Sequence, residues 1–81
     1  MKVLYFARFR QLIGRASEDV VLPTEVKTVG DLLSHLSRTD NGCAAAFSNL
    51  KVVRAAVNQN HVGFDHSLDG ATEVAFFPPV T

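Results

Sequence analysis

The sequence predicts an α+β domain: a mixed sheet of about five strands, with one main helix and a short second helix on one face. Two observations carry this. The apolar period is close to two at both ends of the chain and close to 3.6 in the middle, so strands flank helices in sequence. Apolar residues make up 47% of the 81 residues and run from end to end with no linker, repeat or low-complexity stretch.

Composition removes several classes. Eight Lys+Arg against eight Asp+Glu give a net charge of zero, and a neutral, apolar chain is not expected to be disordered. The balance also argues against a nucleic-acid module, which usually carries a basic excess. One Cys excludes a disulfide scaffold. No apolar run approaches the ~18 residues of a membrane span. The apolar start from Met1 to Tyr5 is too short for a signal peptide and runs into Arg8 and Arg10, so the cytoplasm is the expected compartment. A chain of this length has one thin core, which favours binding, carrying or regulating over enclosed catalysis.

Each element has its own signal. Lys2 to Phe9 reads as a strand, with Val3, Tyr5, Ala7 and Phe9 on one face and Leu4, Phe6 and Arg8 on the other. Both faces are largely apolar, which suggests a central strand. Gly14 marks a turn, and Glu18 to Leu22 reads as a second strand ended by Pro23, close enough for a hairpin. From Val26 to Arg38 the period changes: Val29, Leu32, Leu33 and Leu36 form the stripe of an amphipathic helix. Thr28 is placed as N-cap, with Asp31 three residues on as a capping-box partner. Asn41-Gly42 ends this helix, with Gly42 as a left-handed cap. Cys43, Ala46, Phe47 and Leu50 repeat the helical spacing in a shorter helix. Val52 to Asn58 alternates as a third strand, and Gln59-Asn60 turns into a short strand at His61-Val62. Asp69-Gly70 is a turn signal. Thr72 to Phe77 is the last strand, stopped by Pro78-Pro79, which donate no ladder hydrogen bond.

This order and length match a β-grasp, or ubiquitin-like, roll. That fold sets the first and last strands side by side and parallel at the sheet centre. Phe6 and Phe77 would then be neighbours on the face away from the helices. The division expected is a folded domain over 1–77 and an extended tail over 78–81. Two prolines bias such a tail to a polyproline conformation of about 3.1 Å per residue.

Five stretches carry a specific resemblance: residues 2–7 (KVLYFA), 56–59 (AVNQ), 64–66 (FDH), 68–70 (LDG) and above all 73–81 (EVAFFPPVT). With these, the chain resembles the MoaD-type sulfur carriers, the small-subunit family of molybdopterin synthase, over nearly its whole length. The resemblance implies that the reactive group is the chain's own C-terminal Gly-Gly. A partner adenylates the terminal carboxylate with ATP, and sulfur replaces the adenylate to give a thiocarboxylate. The tail then enters the large subunit and donates sulfur to a pyranopterin precursor, which builds the dithiolene of the molybdenum cofactor. Glycines have no Cβ and thread a narrow channel. The sequence stops at Thr81. The expectation is that Gly-Gly follows; the alternatives are a shortened chain or a carrier whose function is lost.

No residue within 1–81 is expected to be catalytic. The partner-binding residues expected are Leu4, Phe6, Arg8, His61, Phe77, Pro78, Pro79, Val80 and Thr81. Arg10 is a further candidate on the rim. His61 departs from the apolar residue usual in the family. The partners implied are a large synthase subunit (MoaE-type), an adenylating enzyme (MoeB-type) and a sulfurtransferase as sulfur source. No cofactor is expected on this chain, and with no Gly-rich phosphate loop the ATP step belongs to a partner. A carrier for another pathway, such as a thiamine-type one, and a ubiquitin-like modifier or interaction module are the alternatives. Cys43 lies on an apolar stripe and reads as a buried thiol. His35, His61, His66 and Cys43 lack zinc-motif spacing. Asp65-His66-Ser67 reads as a turn anchored by Phe64, and Asn58 as a residue that bonds backbone.

Overall fold

Strand alternation places Val3, Tyr5, Val74, Phe76, Ala55 and Val57 on one side of a sheet, and all six are buried in a single core. The computed structural model describes residues 1–79. Its elements run β1 (Lys2–Tyr5), α1 (Arg8–Ile13), β2 (Ser17–Asp19), α2 (Val29–Thr39), α3 (Asn41–Ala46), a 3₁₀ turn (Leu50–Val52), β3 (Arg54–Val57), β4 (Asn60–Val62) and β5 (Glu73–Phe77). The strands form one mixed sheet in the order β2-β1-β5-β3-β4. β1 and β5 are parallel and central, with Tyr5 opposite Phe76, and the other pairings are antiparallel. This is the β-grasp arrangement expected from the sequence.

The helices contribute Phe9, Ile13, Val29, Leu32, Leu33, Leu36, Cys43, Ala46 and Phe47 to the same core. Ala56 and Ala75 are also buried but lie outside that cluster, because they point to the opposite side of the sheet. Phe47 is the hub. Its ring centroid lies 6.3 Å from Tyr5, 5.4 Å from Phe9 and 5.2 Å from Phe76. Aromatic pairs at these spacings add to the burial of apolar area. The capping box of α2 forms as expected: Asp31 N–H donates to the Thr28 hydroxyl, and Thr28 N–H donates back to the Asp31 carboxylate.

Several boundaries differ from the sequence reading. The first strand ends at Tyr5, not Phe9, and residues 8–13 form α1. Phe9 and Ile13, four apart, both face the core from this helix. The chain breaks at Ala7, which has φ 54°, and α1 closes on Gly14 at φ 88°, whose N–H donates to Arg10 O. The first two strands are therefore joined through a helix and not through a tight turn. β2 spans Ser17–Asp19 and not Glu18–Leu22. β3 is shorter than 52–58, and Leu50 lies outside α3 and is half exposed.

Gly42 is not a left-handed cap; it is the second residue of α3. Asp40 ends α2 and also caps α3 by accepting from Cys43 N–H. Gly42 is small because a Cβ there would sit 3.1 Å from Ile13 Cα and Leu12 O, where α1 and α3 meet.

The turn between β3 and β4 falls on Asn58-Gln59, one residue earlier than expected, with φ 48° and 72°. Two successive positive φ values suit a tight hairpin, and Asn tolerates them best. Asn58 Oδ1 also accepts from Thr72 N–H, Thr72 Oγ1 and Glu73 N–H at 3.0–3.1 Å. It ties the hairpin to the start of β5, which is the backbone role read from the sequence. Asn58→Gly keeps the turn geometry but loses these bonds, and is expected to cost about 1–2 kcal/mol. Asn58→Ala should cost about 1 kcal/mol more, because alanine resists positive φ. Urea denaturation of the two variants separates the contributions; equal costs would remove the conformational part.

Arg15 joins three elements. Its Nη2 lies 2.7 Å from both Glu18 Oε2 and Asp40 Oδ2. Tyr5 donates its hydroxyl to the same Glu18 oxygen at 2.6 Å. Burial, and then this bond, push the Tyr5 phenol far up. The Arg15 guanidinium, and then Cys43 N–H, hold the Asp40 carboxyl below its usual range. A depressed carboxyl stabilises the fold fully above its unfolded value of about 3.9, and this is lost as pH falls through the lower folded value. Asp40→Asn should therefore flatten the fall in stability below about pH 4. Because the pair is about a third exposed, the loss at pH 7 should be near 1 kcal/mol. Urea midpoints at pH 7 and pH 3 test this; an unchanged acid slope would contradict it.

Candidate functional site

The face of the sheet opposite the core carries the expected docking residues in rows, because paired residues on neighbouring strands point the same way. The middle row runs Leu4, Ala75, Ala56, His61 across β1, β5, β3 and β4. The two alanines form its floor, only 8% and 7% exposed. The row below is polar: Lys2 lies opposite Glu73, and Asn58 follows at the end of β3. In the row above, Phe77 lies opposite Arg54. Phe6 donates its N–H to Phe76 O, which sets its main chain beside Phe77.

Phe6 is 48% exposed. Phe77 is half-buried and packs on His61, with ring centroids 5.0 Å apart. His61 therefore extends the apolar surface with its ring instead of interrupting it. Among the described residues, no helix covers this face. Pro78 and Pro79 follow Phe77 directly, so the tail leaves from the centre of the sheet at the edge of this face. Val80 and Thr81 lie outside the described residues.

Arg8 does not lie on the strand as expected. It opens α1, exposed, with its guanidinium carbon 5.6 Å from the Phe9 ring centroid. It lies on this helix and not on the sheet face. Arg10 is exposed on the same helix. Arg54 flanks Phe77 and is held by bonds from Nη1 to Lys51 O and Val53 O. Ala56 and Ala75 were not singled out by the sequence. Alternation within β3 and β5 places them, but a small side chain gives no signal by itself.

The sequence's other candidate groups lie away from this face or in turns. Cys43 is fully buried, with Sγ 3.8 Å from Tyr5 Oη, and burial raises its thiol pKa. Among the described residues, no group of three His, Cys, Asp or Glu could hold a metal ion. Asp65-His66-Ser67 is a turn: His66 N–H donates to Gly63 O, and Ser67 Oγ accepts from Asp69 N–H. Phe64 packs against the core. No helix is long and apolar enough to cross a membrane, among the residues described.

The sequence profile described as ThiS family matches residues 3–81. The chain belongs to the ThiS family. A curated relative, the molybdopterin synthase sulfur carrier subunit of Escherichia coli (strain K12), is 43% identical over 81 residues, covering 100% of this chain and 96% of the relative. A Pyrococcus furiosus structure described as a candidate molybdopterin converting factor, subunit 1, is 33% identical with a TM-score of 0.72. It covers 98% of this chain and 95% of its own. The small archaeal modifier protein 1 of Haloferax volcanii has a TM-score of 0.71 at 22% identity, over 98% and 95% of the two chains. That last likeness is one of fold. The resemblance read from the sequence is thus to the right family. Within this ThiS-family chain, the shared fold accounts for the sheet.

Proposed function

We propose that this chain is the sulfur-carrying subunit of a molybdopterin synthase. The observation that carries the reading is the 43% identity, over the whole chain, to a relative bearing that name. The geometry agrees with it: the tail leaves the central strand beside an exposed apolar face. Phe6, Phe77 and Leu4 dock a large subunit, with Ala56 and Ala75 as floor and His61 and Arg8 at the margins. Pro78 and Pro79 hold the tail extended, which lowers the entropy lost on insertion. Val80 and Thr81 complete the set of contact residues in this reading.

The reactive group is the carboxylate of a Gly-Gly expected after Thr81. That oxygen attacks the α-phosphate of ATP held by an adenylating partner, and pyrophosphate leaves. The terminal sulfur of a sulfurtransferase persulfide attacks the acyl carbon and AMP leaves. A second thiol then reduces the S–S bond of the acyl persulfide, forming a disulfide and releasing the thiocarboxylate. The large subunit then receives the tail and the sulfur passes to a pyranopterin precursor. This chain supplies docking and reach, and its partners supply ATP and the catalytic groups.

Titration of the protein with the large synthase subunit of the same organism tests the reading. A stable complex that elutes as one species is expected. No heat of binding and no co-elution would overturn it.

A further inference from the structure

The zero net charge hides a polar distribution. β1 and β5 run in parallel from Lys2 and Glu73 toward Tyr5 and Phe77, which defines a tail end and an opposite end. α2 runs the same way. Its N-terminus is fixed beside Ser67 and Leu68, near the start of β5, by the Thr28–Ser67 bridge and the bond from Leu68 N–H to Lys27 O. Its C-terminus reaches Arg15, which precedes β2 next to Tyr5. β3 runs in reverse, so Arg54 lies opposite Phe77.

Every cation but two therefore falls at the tail end: Arg8, Arg10, Arg15, Arg38, Lys51 and Arg54. Two carboxylates there, Glu18 and Asp40, are already engaged by Arg15. At the opposite end Lys2 and Lys27 face Asp19, Glu25, Asp31, Asp69 and Glu73. Asp65 follows β4, whose Val62 lies opposite Ala55 near the tail end, and its carboxylate sits at Gly63. With Asp65 counted there, the tail end carries an excess of three positive side-chain charges and the opposite end an excess of three negative ones. Among the described residues, Arg8, Arg10, Arg38, Lys51 and Arg54 form no ion pair, and all are exposed. Five cations around one exit thus have no carboxylate partner within the described residues.

We infer that the tail end is a positive pole that orients the domain, tail first, toward a protein partner whose tail-accepting opening is rimmed by carboxylates. This rests on the carrier reading above and adds the charge of the partner surface. Oriented charge acts on encounter more than on the bound state, so it raises the association rate and is screened by salt. The domain spans 28 × 27 × 20 Å, more than two Debye lengths of about 10 Å at 0.1 M salt. A partner at the tail end therefore senses that pole with little cancellation from the other.

Stopped-flow association with the large synthase subunit tests this. The unaltered protein should lose roughly tenfold in association rate between low and high salt, with dissociation nearly constant. Arg38→Glu with Lys51→Glu lies off the apolar face. It should lower the rate roughly tenfold at low salt, change dissociation less than twofold and flatten the salt dependence. Glu25→Lys with Asp69→Lys, at the opposite pole, should change the rate less than threefold. Thermal melts confirm folding of the variants, and the salt dependence of the unaltered protein needs none. A rate indifferent to salt overturns the inference. So do equal and opposite effects of the two double variants, which would make net charge the cause and not polarity. No complex at any salt concentration overturns the carrier reading, and this inference with it.

Discussion

Phe77→Asp is expected to weaken binding to the large synthase subunit about a hundredfold or more, close to 3 kcal/mol. The ring is half-buried on the outer face, against His61 and beside the tail. Aromatic anchors near the centre of an interface dominate binding energy. Aspartate would put an unpaired charge there, which is costly once water is excluded. The fold should tolerate it, because Phe77 lies outside the core cluster. Calorimetric titration together with a thermal melt separates the two effects. Unchanged affinity would remove Phe77 from the interface; a melt as depressed as the affinity would make its role structural.

The largest effect on stability is expected at Phe47. Its ring touches the rings of Tyr5, Phe9 and Phe76, and so joins α1, both central strands and the end of α3. Removing a buried Phe side chain costs about 3–5 kcal/mol through lost transfer energy and the cavity left behind. A domain of this size has a total stability of only about 4–12 kcal/mol. Phe47→Ala should therefore bring the protein near its unfolding midpoint at physiological temperature. Circular dichroism on heating reads this directly, and a midpoint within a few degrees of the parent would show that the cluster repacks.

These two expectations mark what the sequence made legible. β5 was placed within one residue because Val74 and Phe76 alternate with Glu73 and Ala75 and two prolines end the run. α2 was legible from its four-residue apolar stripe and its Thr28–Asp31 capping box. α1 was misread for a physical reason. Ala7 and Phe9 continue the alternation of Val3 and Tyr5, while the break falls at Ala7, where no Gly announces a positive φ. Only the Phe9–Ile13 spacing and Gly14 pointed to a helix, and six residues are too few for the period to stand out. Gly42 was misread because a glycine after a helix also suits a cap; here it relieves contact between α1 and α3. Of the site, Leu4, Phe6 and Phe77 were legible as outward residues. The alanine floor and the polarity of charge were not, because both depend on which strands pair and in which direction.

The central claim is that this domain exists to present its own C-terminus for sulfur transfer. Intact-mass spectrometry tests it most directly. The protein, with its chain continued through Gly-Gly after Thr81, is incubated with ATP, the adenylating enzyme and a sulfurtransferase with its sulfur donor. The account predicts a mass increase equal to one oxygen replaced by sulfur, dependent on ATP and abolished when the terminal glycines are removed. A mass that stays unchanged with all components present, while the adenylating enzyme activates a known carrier in the same mixture, would contradict it.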